Sequence, residues 1–276
     1  MSFLPAGKAN YKARIERAEL LVQRHPSARQ VLEFFVPIAK FQKEFMEQLP
    51  KLLGKRAIVP ASGNVRAELP VSALAAYFRK FLSLIESVGP APLSAHAKQF
   101  REHGEAEQAK TLTEFWKTGL QEADTADPLT EFLARAFLQP YAEFMVAALL
   151  PPALPMTVCR CPRCNALPVL GVLRIEGDGG KRFLQCSFCS QEWEFRRILC
   201  AHCGEDKEQK LPVYVAEQFP QVRVECCETC KYFLRTIDLT RDGHAVPLVD
   251  DLAAIPLTLW AHENGYTRMQ GNLMGS

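Results

Sequence analysis

The sequence predicts an α+β, multidomain protein: an all-α helical domain over residues 1–150, then two tandem zinc-ribbon-like small β domains, 151–198 and 199–276. Three observations carry this. All ten cysteines lie between positions 159 and 230, and eight of them form four Cys-x-x-Cys pairs. The first 150 residues hold no cysteine and repeat apolar side chains every three to four positions. Between the halves, Leu149 to Pro155 carries three prolines, which cannot continue a helix.

In the helical half, Ile15, Ala18, Leu21 and Val22 mark one face of a first helix from Tyr11, stopped by Pro26. Ser27 with Gln30 three residues on reads as a capping box. Phe41, Phe45, Leu49 and Leu52 mark a long second helix that Pro37 can kink. Lys55 to Pro70 has no steady period and reads as a loop. Leu74, Phe78, Phe81, Leu82 and Ile85 line a third helix that Gly89-Pro90 ends. A weakly apolar helix is expected over 91–109. Thr111 with Glu114 opens a further one that buries Leu112, Phe115, Trp116 and Leu120. Asp127-Pro128 supplies an acidic N-cap and a proline at the first helical position for the last helix, which Pro140 can bend. Its aromatic stripe has the spacing of a bundle core.

Past the prolines the period becomes that of strands. Val169 to Ile175 and Lys181 to Cys186 form a hairpin around the glycines at 177–180, and Glu192 to Leu199 is a third strand. The plan repeats with Leu211 to Ala216, Val222 to Cys227 and Lys231 to Asp238. Leu248 to Trp260, interrupted by Pro256, is a short helix and turn, and residues 271–276 read as a frayed end. The glycine cluster lacks the Gly-Lys-Ser/Thr that a phosphate loop needs.

The cysteine spacing divides the eight into two sets. Twenty-one residues separate Cys164 from Cys186 and twenty-three separate Cys203 from Cys227, whereas ten separate Cys189 from Cys200. Two thiolates on a tight turn, returned by a hairpin to two more, suit one tetrahedral ion. The expected ligands are Cys161, Cys164, Cys186 and Cys189 for site 1, and Cys200, Cys203, Cys227 and Cys230 for site 2. Each site holds one metal ion, iron or zinc. Asn165 and Gly204 suit the left-handed conformation that closes such a turn. A four-thiolate site has no open position for a substrate, so it is structural or transfers electrons. A thioredoxin-like dithiol would open a helix, but these pairs lie in hairpins. Cys159 and Cys226 are left over as spare thiols, each close enough to a knuckle to replace Cys161 or Cys227. His202, inside a knuckle, is a further candidate ligand. Trp193, Tyr232 and Phe233 either shield the metals or pack in the core.

Composition narrows the function. The chain has 33 Lys+Arg against 31 Asp+Glu, and from Met156 onward the balance is 14 against 15. A near-neutral cysteine half argues against a zinc-ribbon nucleic-acid binder, which needs a basic face for phosphates. No apolar h-region follows a basic start, and no apolar run reaches membrane-spanning length, so the expectation is a cytoplasmic protein without stable membrane insertion. No Ser/His/Asp set, carboxylate pair or nucleotide fingerprint stands out, so the protein reads as no enzyme.

Taken together, Cys-Pro-Arg-Cys at 161–164, Leu-Gln-Cys-Ser-Phe-Cys-Ser-Gln-Glu-Trp-Glu-Phe-Arg-Arg at 184–197, Cys-Ala-His-Cys-Gly at 200–204 and Cys-Glu-Thr-Cys-Lys-Tyr-Phe-Leu at 227–234 resemble the formate dehydrogenase accessory protein family. The likeness extends to the run from Asp251 to Leu257 and to Gly265-Tyr266. It implies a non-enzymatic cytoplasmic protein with two rubredoxin-like sites, favouring iron, on the same eight cysteines. It also implies binding to the catalytic subunit of a respiratory formate dehydrogenase, whose maturation needs the accessory protein. Asn165 stands where that family's knuckle tends to have glycine. A rubredoxin-like electron-transfer module is the alternative.

Overall fold

A computed structural model describes residues 10–54, 63–66, 69–119, 127–150, 154–176 and 179–275. Helices α1 (Tyr11–Arg24), α2 (Arg29–Leu53), α3 (Val71–Val88), α4 (Ala91–Glu102), α5 (Glu105–Thr118) and α6 (Pro128–Ala147) come first, with a 3₁₀ turn Pro26–Ala28 between α1 and α2. Strands β1 (Pro168–Glu176), β2 (Gly179–Cys186), β3 (Glu192–Glu194), β4 (Val213–Ala216), β5 (Phe219–Cys226) and β6 (Tyr232–Asp238) follow. Helices α7 (Pro247–Ala253) and α8 (Ile255–Glu263) and strand β7 (Thr267–Arg268) complete the chain. Two compact units emerge. One contains Phe34–Leu150 with the described residues before Ala13; the other contains Ala13–Glu33 with the chain after Leu150.

The first unit is a helical bundle, and its apolar positions fall where the 3.6-residue period put them. Leu74, Phe78, Phe81, Leu82 and Ile85 of α3 are all buried. Phe137 of α6 is the hub: its ring lies 4.9 Å from Phe45, 4.9 Å from Phe78 and 6.0 Å from Phe81. Asp127 caps α6 as expected, accepting a bond from the Thr130 N–H at 2.9 Å. Pro140 has no N–H for the Ala136 carbonyl one turn earlier. Gln42, buried on α2, donates its side-chain amide to that carbonyl at 2.7 Å, so the helix keeps its proline without an orphaned acceptor.

Several local expectations are corrected. The weakly apolar helix does not run to residue 109: α4 ends at Glu102, and α5 begins at Glu105 rather than Thr111. Gly104 is the N-cap of α5, and Glu105 and Glu107 in its first turn suit the positive end of its dipole. The turn Pro26–Ala28 is capped by His25 without a side-chain bond, so no capping box is seen at its start. Much of the expected loop 55–70, Leu120, residues 151–153 of the proline linker and the turn at 177–178 lie outside the described residues.

In the second unit the two ribbons are strands of one sheet, ordered β3-β2-β1-β6-β5-β4, with β7 also paired to β6. The join is a parallel pairing of β1 with β6, Gly171↔Thr236 to Leu173↔Asp238. A Cβ on Gly171 would sit 2.3 Å from the Thr236 Oγ1, so this seam closes on a glycine because only a bare Cα fits. Val169, Leu170, Val172, Phe219, Val222, Val224, Phe233 and Ile237 form an apolar core with Ala254, Leu257 and Ala261 of the C-terminal helices. The expected third strand to Leu199 is only three residues long, because the chain leaves the sheet after Glu194.

Buried charges tie the core down. Asp251 on α7, fully buried, meets the Arg235 Nε at 2.8 Å and the Arg268 Nη2 at 2.9 Å, and accepts a bond from the Asn272 amide at 2.8 Å. Its neighbour Asp250 holds Arg17 at 2.6 Å and Gln221 at 2.9 Å. The end of the chain is therefore not frayed at Asn272, which is 3% exposed and serves this cluster.

Candidate metal centres

All four Cys-x-x-Cys turns share one local construction. The N–H of each leading cysteine bonds the carbonyl five residues on: Cys161 to Ala166 at 2.9 Å, Cys186 to Gln191 at 2.9 Å, Cys200 to Glu205 at 2.8 Å and Cys227 to Tyr232 at 3.0 Å. The residue after each second cysteine is left-handed, with φ of 61° at Asn165, 56° at Ser190, 78° at Gly204 and 60° at Lys231. Asn165 thus takes the conformation that a glycine would, and the first turn keeps the shape of the third. Ser190 and Lys231 do the same without any signal in their residue type. Backbone N–H groups reach the sulfurs: Arg163 to Cys161, Phe188 to Cys186 and His202 to Cys200, each at 3.4 Å.

These turns bring the eight sulfurs into two groups, Cys161, Cys164, Cys186 and Cys189, and Cys200, Cys203, Cys227 and Cys230, each within 4.8 Å of one another. In the first group Cys161–Cys189 is 3.5 Å, Cys164–Cys186 3.4 Å and Cys164–Cys189 3.6 Å. In the second, Cys200–Cys230 is 3.7 Å and Cys203–Cys227 3.6 Å. Four sulfurs at about 2.3 Å from a tetrahedral ion would stand about 3.8 Å apart, so either group can hold one metal ion.

Electrostatics point the same way. Burial pushes the thiols of Cys186 and Cys189 up, and that of Cys200 up to about 11. Cys230 is also pushed up, first by burial. Burial opposes ionisation of Cys227 too, but N–H groups of Cys230 and Thr229 outweigh it and draw its thiol below the ordinary value. Packing four thiolates together without a cation is unfavourable; a bound metal ion removes that penalty and releases the protons.

The two groups differ in exposure. All four sulfur-bearing residues of site 1 are buried, with Phe188 fully buried inside a turn and Trp193 donating its indole N–H to the Val158 carbonyl at 2.7 Å. At site 2, Cys203 is exposed and Cys230 half-buried. His202 stacks on Tyr232 with centroids 3.9 Å apart and is not among the clustered donors. Phe233 belongs to the apolar core. Neither Cys159 nor Cys226 joins a cluster: Cys159 bonds the Thr157 carbonyl at 3.4 Å, and Cys226 lies in the core with its thiol pushed up to about 12 by burial. The sequence reading places Asp251 at the head of the run to Leu257 but does not foresee that it and Asp250 are buried, although two consecutive acids beside an apolar run are a visible trace. No helix among the described residues is long and apolar enough to cross a membrane.

Comparison with known proteins gives a consistent picture. Residues 160–197 match the model of the FdhE central domain, and residues 184–274 that of the FdhE C-terminal domain. A protein FdhE homolog of Aquifex aeolicus is 24% identical over 95% of this chain and 94% of its own length. The homolog of Pseudomonas aeruginosa is 37% identical over 41% of this chain and 38% of its own length. The crystal structure of the FdhE protein from Pseudomonas aeruginosa superposes with a TM-score of 0.72 at 26% identity, covering 96% of this chain and 95% of that one.

Proposed function

Because the chain belongs to the FdhE family and carries two clusters of four cysteines, we propose that it is a formate dehydrogenase accessory protein that binds the catalytic subunit of that enzyme and supports its maturation. The observation that carries this reading is the closed geometry of both clusters. In each, four sulfurs lie within 4.8 Å of one another, and an ion ligated by all four would keep no position for substrate. Cys161, Cys164, Cys186 and Cys189 would hold one ion, and Cys200, Cys203, Cys227 and Cys230 the other. Iron is the proposed occupant of both. An ion would add rigidity to the four turns, and its binding energy would be folding energy for the ribbons. In this reading the protein is a non-enzymatic binder that acts in the cytoplasm and recognises protein rather than nucleic acid.

The test is co-purification with the formate dehydrogenase catalytic subunit from cells grown without air, with metal analysis of the same sample. Capture of the subunit with two equivalents of iron per chain is the expected result. Unchanged capture by a chain with all eight cysteines replaced would remove the metal from the function. One observation favours a second reading, a rubredoxin-like electron carrier: Cys203 is exposed, which gives an ion at site 2 a short path to the surface. Reversible one-electron reduction of the iron at site 2 supports it, and stoichiometric zinc in protein purified without air overturns it.

A further inference from the structure

Among the described residues the strand order ends in β3 on one side and β4 on the other, and these edges are built differently. At one end β3 is only Glu-Trp-Glu, and both acids are engaged, Glu192 with Arg174 at 2.7 Å and Glu194 with Lys181 at 3.4 Å. Short, charged edge strands of this kind deter pairing with another chain. At the other end β4 is Val-Tyr-Val-Ala, uncharged, with Val213 51%, Tyr214 38% and Val215 57% exposed.

The register fixes what this edge offers. The Cys226 N–H bonds the Pro212 carbonyl at 2.9 Å and Tyr214 stands opposite Val224, so the ladder to β5 uses Pro212 and Tyr214. The N–H and C=O groups of Val213 and Val215 therefore point away from β5, and among the described residues no strand meets them. Tyr214 pins the strand from the other face, its ring 4.7 Å from that of Trp260. Beside Val213 a cavity of about 460 Å³ opens, walled by apolar Leu199, Leu211 and Leu234, by Cys227 of site 2, and by Arg182 and Arg223, whose charges are paired with Glu225 and Asp238, with Arg197 also on its wall.

Charge selects the partner. Residues 200–231 carry six acidic side chains against four basic ones, whereas 159–198 carry seven basic against four acidic. Three of the four bases are spent internally, Arg223 on Asp238, Lys231 on Glu228 and Lys210 on Glu205. Three of the six acids are engaged too, Glu205, Glu228 and, by Arg182, Glu225, which leaves Asp206, Glu208 and Glu217 against Lys207. Exposed Asp206 and Glu208 stand before β4, with exposed Lys207 between them, and exposed Glu217 stands after it. A divalent ion on four thiolates adds a net charge of about −2 to the same ribbon.

We propose that β4 is a docking edge that takes an extended segment of a partner protein as an added strand. That segment alternates apolar residues with lysine or arginine. Its backbone pairs with Val213 and Val215, one apolar side chain enters the cavity, and its cations meet Asp206, Glu208 and Glu217. This rests on the reading of the protein as a client binder and names the surface used.

The experiment is amide hydrogen exchange on the full chain with a blocked peptide of alternating valine and lysine, and with its valine–glutamate counterpart. The lysine peptide is expected to slow exchange at Val213 and Val215 by about tenfold or more, with the effect weakening as salt rises. Equal protection by the glutamate peptide, or none by either, overturns the proposal. Protection that appears without peptide and grows with protein concentration also overturns it, by assigning the edge to a second copy. Val215→Pro removes one outward N–H and spares the ladder to β5; with metal content unchanged, it should lose lysine-peptide binding about tenfold. If Val215→Pro captures the formate dehydrogenase catalytic subunit as well as the natural chain does, the docking edge is wrong and the accessory function stands. If the natural chain captures none while the lysine peptide still protects β4, the accessory function fails and the edge stands.

Discussion

The two cysteine clusters are alike in their turns and unlike in their surroundings. Each turn closes with the same five-residue bond and the same left-handed residue, whether that residue is asparagine, serine, glycine or lysine. Yet site 1 is wholly buried, while site 2 exposes Cys203 and half-exposes Cys230. The knuckle is thus a local device that tolerates many residue types, and what it packs against decides how far water reaches the sulfurs. A buried cluster belongs to the core; a partly exposed one also belongs to the surface.

The sharpest way to break that contrast is to remove one thiol from each. Cys186→Ser opens the buried cluster, where a bound ion would contribute about 10 kcal/mol or more to folding, and is expected to leave the second unit largely unfolded. Cys203→Ser should leave a folded chain that keeps the ion of site 1 and binds the other weakly. Metal content and thermal melts compare them, and equal losses would erase the distinction. A chelator should likewise strip site 2 before site 1, seen as two kinetic phases of metal release.

Asp251 tests whether the ribbons are independent. It joins Arg235 on β6 to Arg268 on β7, which also reaches the Val169 carbonyl on β1 at 3.3 Å. Asp251→Asn leaves two buried guanidinium groups underpaired and should cost about 3–5 kcal/mol, read by denaturant unfolding as one shifted transition for the whole unit. Two separate transitions would show that the ribbons melt apart. The pH dependence has a defined sign. Burial alone would raise the Asp251 carboxyl, but Arg235, Arg268 and Asn272 overcome that and hold it below the usual carboxylate range. Its stabilisation is fully present above the unfolded value of about 3.9 and is lost as pH falls through the depressed folded value. The natural chain should therefore lose more stability than Asp251→Asn on acidification below about pH 4.

Smaller effects come from the turn residues. Gly204 is left-handed with open space around its Cα, so Gly204→Ala carries only the backbone penalty, about 1–2 kcal/mol. Asn165→Gly at site 1 should change stability by no more than about 0.5–1 kcal/mol, since asparagine already accepts that conformation. Melting curves of both variants decide whether the two knuckles are interchangeable.

Much of this was legible in the chain because it is local. The pairing of eight cysteines follows from spacing, and the buried face of α3 follows from its period. The Asp127 cap follows from an acid before a proline. The separation of α4 from α5 left a trace too, in Gly104 followed by Glu105 and Glu107, but an N-cap without a side-chain bond is easily read through in a weakly apolar stretch. The parallel seam was not legible, because Gly171 and Thr236 meet across 65 positions and nothing near either names the other. The burial of Asn272 was hidden for the same reason: its partner Asp251 lies 21 positions away, and small polar residues near a terminus ordinarily mean exposure.

The β1–β6 seam also orders events on the ribosome. The first ribbon is complete once Glu194 has been made, but the outer side of β1 meets its partner only when Thr236 to Asp238 emerge, about forty residues later. At translation rates of about 5–20 residues per second, that interval lasts roughly 2–8 s. During it the nascent chain presents an unpaired apolar strand beside a cluster of four thiols that is already assembled. Early capture of an ion at site 1 would keep those thiols from oxidising while the strand waits for its neighbour.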